Sequence, residues 1–387
     1  MALPIKYSLA NIFVRWRSTL ATIIGVGLVV GVWVVLQALA VGLEKAGGST
    51  GDPRNLLITR RGSDSESSSQ ITREDANVVQ YAAEIERDAA GQALISADAL
   101  VAVYLPRVAG NGGANVIFRG VSPRAQELRP QVRLVEGRWF EPGKREVTLS
   151  RRLAGRFDSM QVGGTIKIGA RELQVAGHFD AQGSAFDSEA WMAVDEVRSV
   201  FNRQNFSALL VRPRDPGAGL ALVKRLEDDK RLLVRVVPET AYYAEQTKTA
   251  KPIKYAGDWI AYVMSIGAIF AAMNTMYASV GARTREIGTL RVLGYRRTAV
   301  IVAVLLEGAC LALVGGIAGC SAALYFNGAS TGTFNFQTFG ETVFQFTITP
   351  ALFAKGLVFS VVIGVIGSML PALRAARMPV IAALKSA

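Results

Sequence analysis

Catalysis needs nucleophiles, bases and metal ligands at workable spacing, and this chain offers few of them. Its single histidine, His178, lies inside "GHFD". A lone histidine in a strand-like segment reads as a structural residue. Both cysteines, Cys310 and Cys320, fall within one apolar run, so the polar part of the chain holds neither a disulfide nor a cysteine nucleophile. Three residues so placed make no Cys/His metal cluster. Asp187-Ser188-Glu189 sets a hydroxyl between two carboxylates with no base nearby, and reads as a polar loop. The nearest approach to a phosphate loop is Gly137 with Gly143-Lys144. Five residues separate the glycines, one more than the motif allows, and Arg145 stands where Ser or Thr would hold magnesium. The expectation is a non-enzymatic chain that binds no cofactor, nucleotide or metal directly.

The elements around these residues are membrane elements. Half of the 387 residues are hydrophobic, the mean hydropathy is +0.28 and the isoelectric point is about 9.9. Four apolar runs predict transmembrane helices at 18–43, 259–282, 298–326 and 350–373, since about 20 apolar residues cross a bilayer. Lys355 belongs to the last span if it snorkels outward. Ala38-Leu39-Ala40 resembles a signal-peptidase site, but the run is longer than a signal peptide's apolar region and seventeen residues precede it. Within 1–17, Ile5, Leu9, Ile12 and Phe13 share one helical face, which predicts a cytoplasmic interfacial helix.

Charge sets the orientation. The short segments 1–17, 283–297 and 374–387 carry eleven basic residues and one acid, Glu286, so they hold +10 of the formal +12. The insert 44–258 carries 31 basic and 28 acidic residues, only +3. Basic short loops stay inside, so both termini and 283–297 are expected in the cytoplasm, with 44–258 and the short 327–349 loop outside. The same distribution argues against nucleic acid as a partner, because the excess lies at membrane edges rather than on a folded domain.

The insert reads as a mixed α/β domain with a core of its own. Strand-like segments are 55–60, 145–150, 164–169, 173–179 and 206–211; helices are expected from Thr72, with Asp75 completing a capping box, and at 195–204 and 219–229. The Ser-rich stretch 60–70 reads as a polar loop. The 283–297 segment is different in kind: it packs five arginines into fifteen positions. Ile287, Leu290 and Leu293 recur at spacings of three and Gly294 is a natural C-cap, which describes a short helix whose apolar face must lie on lipid or on a partner.

The stretch "GAIFAAMNTMYASVGARTREIGTLRVLGYRRTAVIVAVLLEGACLALVGGIAG" resembles the membrane core of FtsX/MacB-type ABC transporter permeases. "LANIFVRWRSTLATIIGVGLVVG" resembles their N-terminal interfacial helix and first span, and "LPALRAARMPVIAAL" their C-terminal end. "FRGVSPRAQELRP", "LVEGRWFEPGKREV" and "DSEAW" resemble the MacB-type extracytoplasmic domain. The resemblance implies an α-helical membrane protein of four spans, with a large α/β domain between spans 1 and 2. It implies a multi-pass protein of the bacterial inner membrane, assembled as a dimer with a second copy or a paralogue. It also implies a separate cytoplasmic ATPase that supplies ATP and magnesium, and a membrane-fusion adaptor for export. The other branch of the resemblance would make the chain a regulator of a cell-wall hydrolase. Carried onto this sequence, the ATPase-coupling residues are Arg285, Glu286, Ile287, Gly288, Leu290, Arg291 and Gly294. Within the spans, Asn274, Thr275 and Glu307 are expected to hydrogen-bond between helices, and Gly308, Gly315, Gly316 and Gly319 to let helices approach closely.

Overall fold

The computed structural model describes residues 16–108, 112–246, 250–334 and 339–378. The interfacial helix expected within 1–17 therefore lies, but for its last two positions, outside the described residues, as does the tail beyond 378. Among the described residues, four helices are long and apolar enough to cross a membrane. Span 1 is Trp16–Gly48, span 2 Ala250–Ala282, span 3 Arg297–Leu324 and span 4 Pro350–Arg377. The helices of spans 1 and 2 run past their apolar runs at the ends that face the insert. Thr349 starts span 4 by accepting from the Leu352 amide, with Pro350 in the first turn, where it has no helical acceptor to lose.

The chain divides into two compact units: the four long helices, and residues 42–250 with 330–345. In the first, Val26, Val30 and Val34 of span 1 pack with Ala312 and Cys320 of span 3 and Leu352 and Ile363 of span 4. Spans 1 and 3 meet on glycine. A Cβ on Gly27 would stand 2.9 Å from the Gly315 carbonyl, and one on Gly31 3.1 Å from that of Gly319. Both pairs follow the small-x-x-x-small spacing that brings membrane helices into backbone contact. Gly308 and Gly316 receive Ser368 and Ser360 of span 4 in the same way. At the end nearer the insert, Trp33 and Gln37 of span 1 donate to Asp258 of span 2 at 3.0 and 2.5 Å.

The second unit is built on a ten-stranded mixed sheet. Its strands are β1 (Leu56–Arg60), β2 (Ile95–Pro106), β3 (Gly113–Val121), β4 (Arg133–Gly137), β5 (Glu146–Ser150), β6 (Thr165–Ile168), β7 (Arg171–Asp180), β8 (Glu189–Ala193), β9 (Ala208–Val211) and β10 (Val234–Pro238). They lie in the order β10-β1-β9-β2-β3-β8-β5-β7-β4, with β6 paired to β7; β3–β8 and β5–β7 are parallel, and the rest antiparallel. Helices α1 (Arg73–Gln80), α2 (Val194–Val200), α3 (Pro216–Asp228) and α4 (Glu239–Gln246) accompany the sheet. Thr72 and Asp75 close a capping box on α1, a device that stabilises a helix start by about 1 kcal/mol. That helix stops at Gln80, and α2 stops at Val200, both sooner than their patterns suggest. Asp215 caps the Ala218 amide, with Pro216 behind it, so α3 begins ahead of its apolar stretch.

Three sequence readings need correction. The 60–70 stretch is not simply a solvated loop, since Ser65, Glu66 and Ser69 are buried. Asp187-Ser188-Glu189 is not a loop either. Ala185–Ser188 is a 3-10 turn and Glu189 opens β8, and all three polar side chains are buried. Desolvation pushes the Asp187 carboxyl up, although the Ala181 and Gly183 amides and Arg152 oppose it. The 327–349 segment is largely a hairpin, β11 (Ser330–Phe334) with β12 (Glu341–Gln345). The Val343 amide donates to Ser188 Oγ at 2.7 Å, and buried Glu341 is paired with Arg107 at 2.7 Å and with Arg156.

Six buried charged residues of the inserted domain form one network. Arg119 of β3 reaches Glu66 at 2.9 Å, Asp98 of β2 at 3.1 Å and Glu189 at 2.7 Å. Arg129 reaches Asp98 at 2.8 Å and Glu239 at 3.1 Å. The Asp98 approach is a charge contact without hydrogen-bond alignment, because the Arg129 Nη atoms have no aligned acceptor. Burial by itself would lower the Arg119 guanidinium, but Glu189 and Glu66 beside it hold it well above its ordinary value. His178 is buried with Nε2 2.7 Å from the Met160 carbonyl and Nδ1 3.2 Å from Glu136. Its ring serves the joint between β4 and β7.

Candidate functional site

Helix α5 (Thr284–Val292) follows span 2 after a one-residue break at Arg283. Its end is a Schellman motif: the Tyr295 amide donates to Leu290 O and the Gly294 amide to Arg291 O, both at 3.2 Å. Gly294 takes φ +89°, a left-handed conformation that a side chain would strain. The turn delivers the chain into span 3.

The two faces of α5 have different surroundings. Gly288 is buried, and half-buried Ile287 packs against the cluster of Met276, Val280, Val300 and Val304. Part of the apolar face therefore rests on the chain's own spans, contrary to the expectation that it must find lipid or a partner. Leu290 is half-buried, while Val292 and Leu293 are 60% and 69% exposed. Arg285, Glu286, Gly294, Arg296 and Arg297 are exposed. Arg291 turns inward: its Nη1 donates to Ala376 O at 2.6 Å, and so caps the carbonyl end of span 4. A guanidinium suits the negative end of a helix dipole.

Arg283 and Glu307 form the link between α5 and the spans. Arg283 Nη1 donates to Glu307 Oε2 at 3.0 Å, and Ser279 Oγ donates to Oε1 at 3.1 Å, so span 3 is tied to the end of span 2. The Thr275 hydroxyl lies 2.6 Å from that of Thr22, joining spans 2 and 1. Asn274 differs from the expectation for it. Its side chain is exposed on the outside of the helical unit rather than set between its helices. Among the described residues no group of three or more His, Cys, Asp or Glu is placed to hold a metal.

Residues 18–229 match the MacB-like periplasmic core domain family, and residues 259–380 match the FtsX-like permease C-terminal family. The first match alone covers more than half of the chain. The chain belongs to the MacB/FtsX-type family of ABC transporter permeases. Its extracytoplasmic MacB-like domain lies between spans 1 and 2. Similar proteins include the macrolide export ATP-binding/permease protein MacB of Hahella chejuensis, 29% identical over 58% of this chain and 35% of that protein. MacB of Pasteurella multocida is 25% identical over 73% of this chain and 45% of its own length. An uncharacterized ABC transporter permease, YknZ of Bacillus subtilis, is 35% identical over 29% of this chain and 26% of that protein. The permease thus spans between about a third and a half of the MacB relatives it matches. The periplasmic region of MacB from Actinobacillus actinomycetemcomitans aligns with 52% of this chain and 94% of that structure, at 14% identity and a TM-score of 0.37.

In this permease the seven predicted coupling residues divide by exposure. Arg285, Glu286 and Gly294 are open to the surroundings, Leu290 is half-buried, and Ile287, Gly288 and Arg291 pack α5 against spans 2 to 4. The inserted domain's buried network of Glu66, Asp98, Arg119, Arg129, Glu189 and Glu239 has no local sequence signature, because its members come from separate elements.

Proposed function

We propose that this permease couples ATP hydrolysis by a separate cytoplasmic ATPase to movement of its extracytoplasmic domain, driving export with a periplasmic adaptor. The observation that carries the reading is α5: an exposed apolar and basic end, Val292-Leu293 with Arg285, Arg296 and Arg297, on a helix braced by Ile287, Arg283 and Arg291 against three spans. A braced helix transmits a push, because the spans behind it are internally hydrogen-bonded and stiff. Arg285, Glu286, Leu290 and Gly294 complete the coupling surface, and ATP and magnesium are bound by the partner. The chain itself is non-catalytic.

The short-loop charge supports an inner-membrane orientation with both termini and α5 in the cytoplasm. Asn274 supports a second permease copy. An amide facing hydrocarbon leaves its hydrogen-bonding groups unmet, and pairing across two helices meets them. The MacB-like match at 18–229 supports export rather than hydrolase regulation. The test is purification of the intact chain from its host membrane. The expected result is a co-purifying ATPase of the ABC type and hydrolysis that disappears when that subunit is stripped. Hydrolysis that survives complete removal of the partner would refute the non-catalytic reading, and a chain that binds no ATPase would refute the coupling.

A further inference from the structure

The buried ion network is more than the fold requires. Arg119, Arg129, Asp98, Glu66, Glu189 and Glu239 are all at most 6% exposed, and such interior ion pairs contribute little net stability compared with apolar side chains of similar volume. What distinguishes this network is where it begins. Span 1 ends at Gly48, and four residues later the Asp52 amide donates to Glu239 Oε2 at 2.9 Å. Asn55 Nδ2 donates to the same oxygen at 2.9 Å, and the Glu239 amide donates back to Asn55 O at 3.0 Å. Glu239 opens α4, the last described element of the domain before span 2. One carboxylate therefore joins the stretch leaving span 1 to the stretch leading into span 2. Gly51 is glycine for the same contact: at φ +90° its missing Cβ would stand 2.7 Å from the Glu239 side chain.

The other oxygen of Glu239 faces the sheet. It accepts from Arg129 Nε at 3.1 Å, and Arg129 continues to Asp98 on β2, then Arg119 on β3, then Glu189 on β8. We propose that Glu239 is the joint between the membrane leads, and that the chain Glu239–Arg129–Asp98–Arg119 is the strut that carries their displacement into the central strands. Apolar contacts are non-directional. The Glu239–Arg129 and Asp98–Arg119 links are charge-assisted hydrogen bonds, which hold direction as well as distance, and the Arg129–Asp98 link between them is a close ion pair at 2.8 Å. This inference rests on the ATP-coupled reading above and adds the residues that perform its outer half.

Glu239→Gln tests it. The glutamine carbonyl can still accept from Asp52 and Asn55, which leaves its NH2 facing the Arg129 N–H, donor against donor, so the joint is kept and the strut is cut. Arg129→Gln cuts the next link, because glutamine ends where the Arg129 Nε stands and falls short of the Nη2 position that lies 2.8 Å from Asp98, while Glu239 keeps its bonds from Asp52 and Asn55. Hydrogen exchange of the permease–ATPase complex, with and without ATP and vanadate, reads both ends at once: α5 and strands β2, β3 and β8. In the unmodified complex both regions shift on nucleotide binding. In Glu239→Gln and in Arg129→Gln the α5 shift persists and the strand shift shrinks. A strand shift of unmodified size in Glu239→Gln overturns the strut. A strand shift of unmodified size in Arg129→Gln, with the α5 shift intact, overturns the relay through Arg129. An α5 silent in the unmodified complex overturns the ATP-coupled reading and this proposal with it.

Discussion

Replacing Leu293 tests the coupling surface with the least disturbance to the permease. It is 69% exposed and sits where α5 ends, so the chain's own packing uses little of it. Fully burying a leucine side chain stabilises by about 1.5–3 kcal/mol, so covering the open two thirds in a partner groove is worth about 1–2 kcal/mol. Leu293→Ala forfeits most of that, and at about 1.4 kcal/mol per decade binding weakens roughly 5- to 30-fold. Leu293→Asp also strands a carboxylate in an apolar groove, adding about 1–3 kcal/mol. The combined loss of about 2–5 kcal/mol is roughly 30-fold to several thousand-fold in affinity. The assay is titration of the purified partner ATPase onto permease in nanodiscs, with the thermal midpoint of each variant as a control. That midpoint should not move. Ile287→Asp gives the contrast: Ile287 packs on Met276, Val280, Val300 and Val304, so its loss lowers the stability of the permease itself. Leu293→Asp protein that binds the ATPase within about twofold of the unmodified affinity, well inside one decade, refutes the reasoning.

Other outcomes follow from orientation, assembly and acid sensitivity. With Cys310 and Cys320 replaced by alanine, an impermeant thiol reagent should label Lys144→Cys in intact cells and leave Thr289→Cys, exposed on α5, silent; the opposite pattern inverts the topology. In the same background Asn274→Cys should form disulfide-linked pairs on oxidation in membranes, whereas Thr275→Cys, which faces Thr22, should not; equal cross-linking removes Asn274 from the dimer contact. The Asp52 carboxyl is held below its ordinary value of 3.8 by its hydrogen bond from Arg54, against the upward push of burial and with help from Arg212. A depressed carboxyl contributes stability that is complete above the unfolded value and is lost as pH falls through the lower folded one. The thermal midpoint should therefore fall more steeply below that value of 3.8 in the unmodified chain than in Asp52→Asn, and parallel curves would contradict the assignment.

Features that depend on neighbours along the chain are legible in the residues alone. Four apolar runs specify four membrane helices because hydrocarbon leaves a backbone no alternative there. Thr72 with Asp75 and Gly294 mark helix ends because capping bonds close within a few residues. The family motifs around 283–297 were legible for the same reason: they lie within one continuous stretch. Tertiary structure alone decided which side of each element a group serves. Asn274 and Thr275 are adjacent and both polar, yet one faces outward and the other meets Thr22, because a helix turns about 100° per residue. Arg291 and Arg285 look alike in the sequence, but Arg291 ends on the carbonyls of span 4, 85 residues away. The buried network was invisible for the strongest form of that reason. Arg119 meets Glu66 and Glu189 across 53 and 70 residues, and Arg129 meets Glu239 across 110. Charged residues in strands and loops read as solvated until the sheet order β9-β2-β3-β8 brings them together. Desolvation then makes pairing obligatory, and no local pattern records it.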